Sequence, residues 1–300
     1  MEPVKSATVR VCGREVALFN DEYFLKMRKK YGIRDDFLDS GWDFESSMKP
    51  GGGKGGDMMA QLEHYVIKEM GKGDHESLLR VTPSIVNHWL TAPSLITPIF
   101  LHWTFNEKHY FAMGKMSPSS PYTALYDLKG CDDDKMMWKQ GRTVAAKHKR
   151  WYKLFMWCGQ CTWSPERITY FEGKQIARAV KFAVTEEQRK EILEKMRYDI
   201  EFLKGANLMD YSLLVAQKEG PAGSFDRDRC PYHQVMVSKS TTDGQDVATY
   251  IGIIDYLQQW NFSKVVANCI KFLETNKATI KPTPYGDRFY KHFEKAFFTK

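Results

Sequence analysis

Three hundred residues, 43% hydrophobic and 14% aromatic, are enough to bury a sizeable core. With 27% charged residues among them, the composition excludes a chain disordered throughout. No apolar run reaches the roughly 18 residues that a membrane span needs, and Met1 to Arg10 carries charge and Pro3 in place of an apolar signal core. The expectation is a soluble, cytoplasmic protein that meets membranes only peripherally.

The net charge is +7, from 44 basic and 37 acidic residues. Alone it fits binders of nucleic acid, membranes or anionic substrates equally well. Its distribution says more: Lys135 to Lys153 holds seven Lys or Arg and no Asp or Glu, interleaved with His148, Trp151 and Tyr152. Such a segment suits an anionic surface or an ordinary solvated loop. The six cysteines read as reduced thiols. Cys158 and Cys161 form a CxxC that Cys230 and His233 could complete as zinc ligands. The long spacing and the turn-like Ser164-Pro165 make coincidence the better reading.

In chain order, Asp21 to Tyr31 predicts a short basic helix stopped by Gly32, then a polar stretch from Asp35 to Ser47. Gly51 to Gly56 is glycine-rich around Lys54, and Tyr65 to Lys68 has strand composition. Asp74 to Leu90 predicts a helix despite Pro83, and Leu95 to Tyr126 predicts strands. Later, Thr185 and Gln188 form a capping box. Ile192, Leu193, Met196, Ile200 and Leu203 then share one helical face, with Gly205 as the stop. Strands follow at Ser212 to Val215, Gln234 to Val237 and Val247 to Ile254. This alternation predicts a two-lobed α+β fold, an N-lobe over 1–130 and a C-lobe over 131–300.

The chemistry that these residues suit is phosphoryl transfer, which needs a cradle and cation for phosphates, carboxylates for magnesium, and a group orienting the nucleophile. The tract Gly53, Lys54, Gly55, Gly56 lets main-chain amides approach phosphate, although glycine runs are more often flexible loops. It is no Walker A, because Gly55 stands where Ser or Thr belongs. Lys68 follows on a strand, where protein kinases keep their phosphate-binding lysine. Asp210 and Asp255 each adjoin an apolar strand, so paired strands would bring both to one edge of a cleft. No His-Arg-Asp and no Asp-Phe-Gly occurs, which disfavours a conventional protein kinase.

Met209-Asp210-Tyr211-Ser212-Leu213-Leu214 resembles the MDYSLL signature of phosphatidylinositol phosphate kinases. Asp127-Leu128-Lys129-Gly130 resembles their DLKG, Ile253-Ile254-Asp255-Tyr256-Leu257-Gln258 their IIDxLQ, Val66-Ile67-Lys68 their IIK strand, and Gly53 to Gly56 their glycine loop. Pro284 to Phe289 resembles the C-terminal tyrosine stretch. The motifs run in family order from Val16 to Phe297. The resemblance implies a distant relative of the protein-kinase fold, with an antiparallel N-lobe sheet, using ATP and magnesium on a phosphoinositide at a membrane surface. It implies Gly53 to Gly56 over the phosphates, Lys68 holding them, Asp210 as catalytic aspartate, Lys129 as a cation at the substrate, and Asp255 as magnesium ligand. Family dimers form through the N-lobe.

Several positions depart from the pattern. Lys264-Val265 stands for a lysine pair, and Asp57-Met58 for a serine and an aromatic. Cys131-Asp132-Asp133-Asp134 stands for a serine-led basic run; these acids could take up magnesium or be solvated, and solvation is the expected fate. Ala267 matches type II enzymes, which use the 5-phosphate lipid, whereas type I enzymes, which use the 4-phosphate lipid, have glutamate. The substrate expected is phosphatidylinositol 4-phosphate. The alternatives are a 5-phosphate 4-kinase or a weakly active lipid-binding scaffold. Nucleic-acid binding has no motif behind it.

Overall fold

The computed structural model describes residues 9–50, 57–117, 121–139, 141–144, 163–221, 224–225, 230–239, 245–261 and 278–299. A hairpin of β1 (Arg10–Val11) and β2 (Arg14–Glu15) leads into a six-stranded antiparallel sheet. Its strands are β3 (Ala17–Leu18), β4 (Lys49–Pro50), β5 (Met58–Gln61), β6 (Tyr65–Met70), β7 (Ile99–Phe105) and β8 (Lys108–Gly114), in the order β3-β7-β8-β6-β5-β4.

Helices α1 (Asp21–Lys30), α2 (Phe44–Ser47) and α3 (Lys72–Thr91) accompany it. Asp21 and Glu22 open α1 while Arg28, Lys29 and Lys30 close it, the charge order that a helix dipole favours. Arg28 is buried and donates to Asp21 (2.8 Å), Asp35 (2.7 Å) and the Phe100 carbonyl (2.9 Å), which pins α1 to β7. The polar stretch after α1 is not wholly irregular: Asp43 accepts from the Ser46 amide and caps α2.

The second sheet also has six strands, in the order β11-β10-β9-β13-β15-β14. These are β9 (Ala124–Leu128), β10 (Lys135–Lys139), β11 (Arg142–Thr143), β13 (Ser212–Gly220), β14 (Gln234–Lys239) and β15 (Asp246–Ile254), while β12 (Phe182–Val184) and β16 (Phe297–Thr299) form a separate parallel pair. Because β9 pairs with β13, sheet membership changes between Gly114 and Ala124, ahead of the expected division after 130. Helices α4 (Pro165–Ala179), α5 (Glu186–Gly205) and α6 (Pro282–Ala296) complete the α+β fold.

Two local expectations change. Ser164 and Pro165 begin a helix and not a turn: the Ser164 hydroxyl caps α4 and Pro165 takes the first position, where a missing N–H costs nothing. The capping box of Thr185 and Gln188 is present at α5, but Gly205 lies inside the last turn. The left-handed residue past the helix is Asn207 (φ 61°), whose side-chain amide donates to the Trp260 carbonyl. Among the described residues, no helix is long and apolar enough to cross a membrane.

The two sheets share one apolar core that runs from Trp89 and Phe100 to Ile253 and Phe289. Residues 95–97 join them: Ile253 donates to the Leu95 carbonyl (2.7 Å), Thr97 to the Ile253 carbonyl (3.0 Å), and the Tyr256 hydroxyl to the Thr97 carbonyl (2.6 Å). Behind this strap lies Asp199 of α5, fully buried, bonded to His88 Nε2 (2.7 Å), the Ser94 hydroxyl (2.7 Å) and the Leu95 amide (2.6 Å). Asp199→Ala would take the acceptor from the buried His88 ring nitrogen and the buried Leu95 amide. Urea titration should show a loss of about 3–5 kcal/mol; a loss no larger than that of an exposed site would contradict the strap's role.

Candidate active site

Strand β13 lies between β9 and β15 and is antiparallel to both. Its first residue, Ser212, pairs with the last of β15, Ile254, and Leu213 pairs with Leu128 at the end of β9. Lys129, Asp210 and Asp255 are therefore delivered to one end of the sheet. Beyond the ladder the chains meet again, with Leu208 bridged to Gln259 and the Met209 amide donating to the Gln258 carbonyl (2.9 Å). Asp210 and Asp255 sit on the bulge between these contacts, both left-handed (φ 65° and 57°). Aspartate tolerates that conformation better than most residues, and such backbone clusters at functional sites.

Lys68 reaches this end of the second sheet from the middle of β6, and its Nζ lies 2.6 Å from Asp255 Oδ1. Lys129 Nζ lies 2.5 Å from Asp210 Oδ1 and 2.7 Å from the Asp210 carbonyl. The Asp255 carboxylate remains 49% accessible, between lobes that press on either side. The Lys68 ammonium is the largest influence on it and holds its carboxyl below the ordinary value, helped by Lys129 and Lys135. Burial pulls on Lys129 in the opposite sense, but the Asp210 and Asp127 charges carry it above the ordinary lysine value. Lys135 pairs with buried Asp127 at 2.8 Å, on the neighbouring strands β10 and β9.

Four of the expected site residues are thus brought together: Lys68, Lys129, Asp210 and Asp255. Gly53, Lys54, Gly55 and Gly56 lie outside the described residues, as do Cys158, Cys161, Lys264, Ala267 and most of the basic-aromatic segment. Cys230 is buried and meets His64 Nδ1 at 3.3 Å, while His233 Nε2 bonds the Lys115 carbonyl, which leaves these two on separate partners.

Sequence reasoning missed two supports. The Tyr285 hydroxyl on α6 donates to the Tyr211 carbonyl, and the two rings meet edge to face at 4.7 Å beside Asp210. Asp134 is not solvated: it is buried, and its Oδ1 accepts from the main-chain amides of Lys129 (2.5 Å) and Cys131 (3.3 Å). Asp132 pairs with Arg178 at 2.9 Å. The acidic run was visible, but nothing in its spacing revealed which acid turns inward.

A family model described as Phosphatidylinositol-4-phosphate 5-Kinase matches residues 48–231 and 216–296. The chain belongs to this family. A protein of Oryza sativa subsp. japonica named phosphatidylinositol 4-phosphate 5-kinase 1 is 38% identical over 63 residues, which cover 20% of this chain and only 8% of that protein. A Homo sapiens protein named phosphatidylinositol 4-phosphate 5-kinase-like protein 1 is 20% identical over 322 aligned positions, 92% of this chain and 74% of its own length. Family membership makes this a phosphoinositide-kinase fold, with ATP as the donor that the family implies.

The residues fit that donor. Among the described residues no three acidic, histidine or cysteine side chains converge as a metal site. Magnesium, however, habitually takes one or two carboxylates and completes its shell with phosphate oxygens and water. Asp255, open and flanked by Lys68, is placed for that arrangement. A hollow of about 770 Å³ between α5 and α6, lined by Arg197, Phe202 and Tyr290, contains none of these residues. Converging charge, not hollow size, marks the site.

Burial raises the Asp134 carboxyl from 3.8 to about 6, against the lowering effect of its two amide donors. Its favourable contribution to folding is therefore complete below 3.8 and is lost as pH rises through about 6. Asp134→Asn, neutral throughout, should gain in urea midpoint on the wild type as pH rises from about 4 to about 6 and hold that gain above it. Parallel curves for the two proteins would contradict the assignment.

Proposed function

We propose that this chain transfers the γ-phosphoryl group of ATP to an inositol ring hydroxyl of a phosphatidylinositol monophosphate at a cytoplasmic membrane surface. Phosphatidylinositol 4-phosphate is the substrate put first, giving the 4,5-bisphosphate. The observation that carries the reading is the facing arrangement of two pairs, Lys68 with Asp255 and Lys129 with Asp210, at one sheet end.

Each residue has a role that its position supports. Lys68, extending from the first sheet, would hold the donor phosphates, with Gly53, Lys54, Gly55 and Gly56 over them. Asp255 would hold magnesium, which when bound neutralises charge on the phosphate oxygens. Asp210 would orient the ring hydroxyl and take its proton as the new P–O bond forms and the bond to the β-phosphate breaks. Lys129, above its ordinary value and so cationic, would offset negative charge on the transferring group and the lipid's monoester phosphate.

Half-exposed ion pairs contribute only about 0–1 kcal/mol each, so the Lys68–Asp255 pair opens at small cost when phosphate and metal arrive. A second reading, a 5-phosphate 4-kinase, is supported by Ala267, the type II residue.

The test is transfer of labelled phosphate from ATP and magnesium to vesicles carrying each phosphatidylinositol monophosphate in turn. Incorporation should favour the 4-phosphate lipid and fall by about 10²-fold or more in Asp210→Asn, the scale of a lost general base; Asp255→Asn should abolish it. No incorporation into any lipid, with vesicle binding intact, would leave a lipid-binding scaffold and overturn the kinase.

A further inference from the structure

The turn that follows β9 carries Lys129 to Asp210, and it is built unusually. Gly130 is left-handed (φ +67°), and a Cβ there would come within 2.9 Å of His292 on α6. The turn therefore cannot relax toward α6. On its other side Asp134 folds back beneath it, with Oδ1 receiving the amides of Lys129 and Cys131. Lys174 of α4 donates to the Asp134 carbonyl (3.2 Å), and Arg178 of the same helix pairs with Asp132. Gly173 of α4 is buried close to Met136, so the helix lies tight against the strand that follows the turn.

These contacts share one consequence. The Lys129 amide and its ammonium are separated by a single residue's backbone and side chain, so whatever fixes the amide limits where Nζ can go. Asp134 is 1% exposed and spends its carboxylate on main chain instead of solvent or metal. A buried carboxylate is costly unless hydrogen-bonded; this one is retained beside the Asp127–Lys135 pair, where an uncharged residue would cost less.

We infer that Asp134 is a positioning residue: by gripping the Lys129 and Cys131 amides it sets the turn that holds the Lys129 ammonium on Asp210. The inference rests on the kinase reading for its effect on turnover, but not for its geometry. Asp134 touches no reacting atom. Its Oδ1 alone accepts both amides, so asparagine, with one carbonyl oxygen, reproduces the grip, and alanine does not.

Two measurements on the full chain separate the possibilities. The first is the titration of Lys129 followed by NMR of ¹³C-dimethylated lysines in the wild type, Asp134→Asn and Asp134→Ala, with Lys129→Arg to assign the signal. Lys129 should titrate above the ordinary lysine range in the wild type and in Asp134→Asn, and fall back toward it in Asp134→Ala. The second is lipid phosphorylation per folded molecule. Asp134→Ala should lower kcat by about 100-fold, the scale of an ångström-sized misplacement, with KM for ATP little changed, and Asp134→Asn should recover most of it.

A Lys129 titration unmoved in Asp134→Ala would overturn the inference, whatever the activity. A wild type inert on every lipid would strike the kinase reading instead, and the titration would still decide the role of Asp134. If Asp134→Ala fails to fold, a Lys129 titration in Asp134→Asn that stays above the ordinary range, as in the wild type, supports the grip, and one that falls back toward the ordinary range overturns it.

Discussion

The ladder that sets β13 between β9 and β15 is the constraint on which the site depends. It brings the residue after β9, the residue two before β13 and the residue after β15 to one sheet end, although up to 126 positions separate them in the chain (129 to 255). A register slip of one residue would turn the inward side chains outward. Leu213, Val215, Ile251 and Ile253, all buried, oppose such a slip. The same hydrophobic pattern that stabilises the C-lobe thus fixes where its charged groups emerge. The left-handed turns at Asp210 and Asp255 then lift both carboxylates out of the ladder before the chains close again at Leu208 and Gln259.

Among the described residues, the first sheet contributes one charged side chain to this centre, Lys68, and the strap at 95–97 holds the two sheets together beside it. Main-chain bonds from Leu95 and Thr97 to Ile253 hold the lobes at the level of Asp255, two residues further on. Asp199 secures the strap from behind through Ser94 and Leu95 and ties it through His88 to α3. Stability and chemistry are divided between different charges. The buried Asp199 and Arg28 networks hold elements together, whereas the accessible Lys68–Asp255 pair contributes little to folding and stays free to exchange partners.

Much of the fold was legible because strong local signals agreed with the tertiary outcome. The apolar face of α5 and its capping box, and the runs 212–215 and 247–254, were read where they occur. The convergence of Asp210 and Asp255 was legible only on condition that those two strands pair, and the ladder between β13 and β15 meets that condition. What could not be read depends on how individual turns and helix ends close in three dimensions. Ser164-Pro165 looks alike at a turn and at a helix start. Asn207, not Gly205, takes the left-handed position at the end of α5, and its side-chain amide finds a partner in the Trp260 carbonyl, 53 residues away. Asp134 seemed one of three equivalent acids, and only the fold of the turn beneath Lys129 distinguishes it.

The central claim is that Lys68 and Asp255, paired here with each other, are the protein's handles for nucleotide phosphate and its magnesium. Calorimetric titration of ATP with and without magnesium, in the wild type and in Asp255→Asn, tests it without requiring turnover. The account predicts that magnesium tightens ATP binding to the wild type and that Asp255→Asn abolishes this gain while retaining metal-free binding. Equal tightening by magnesium in both proteins would contradict it.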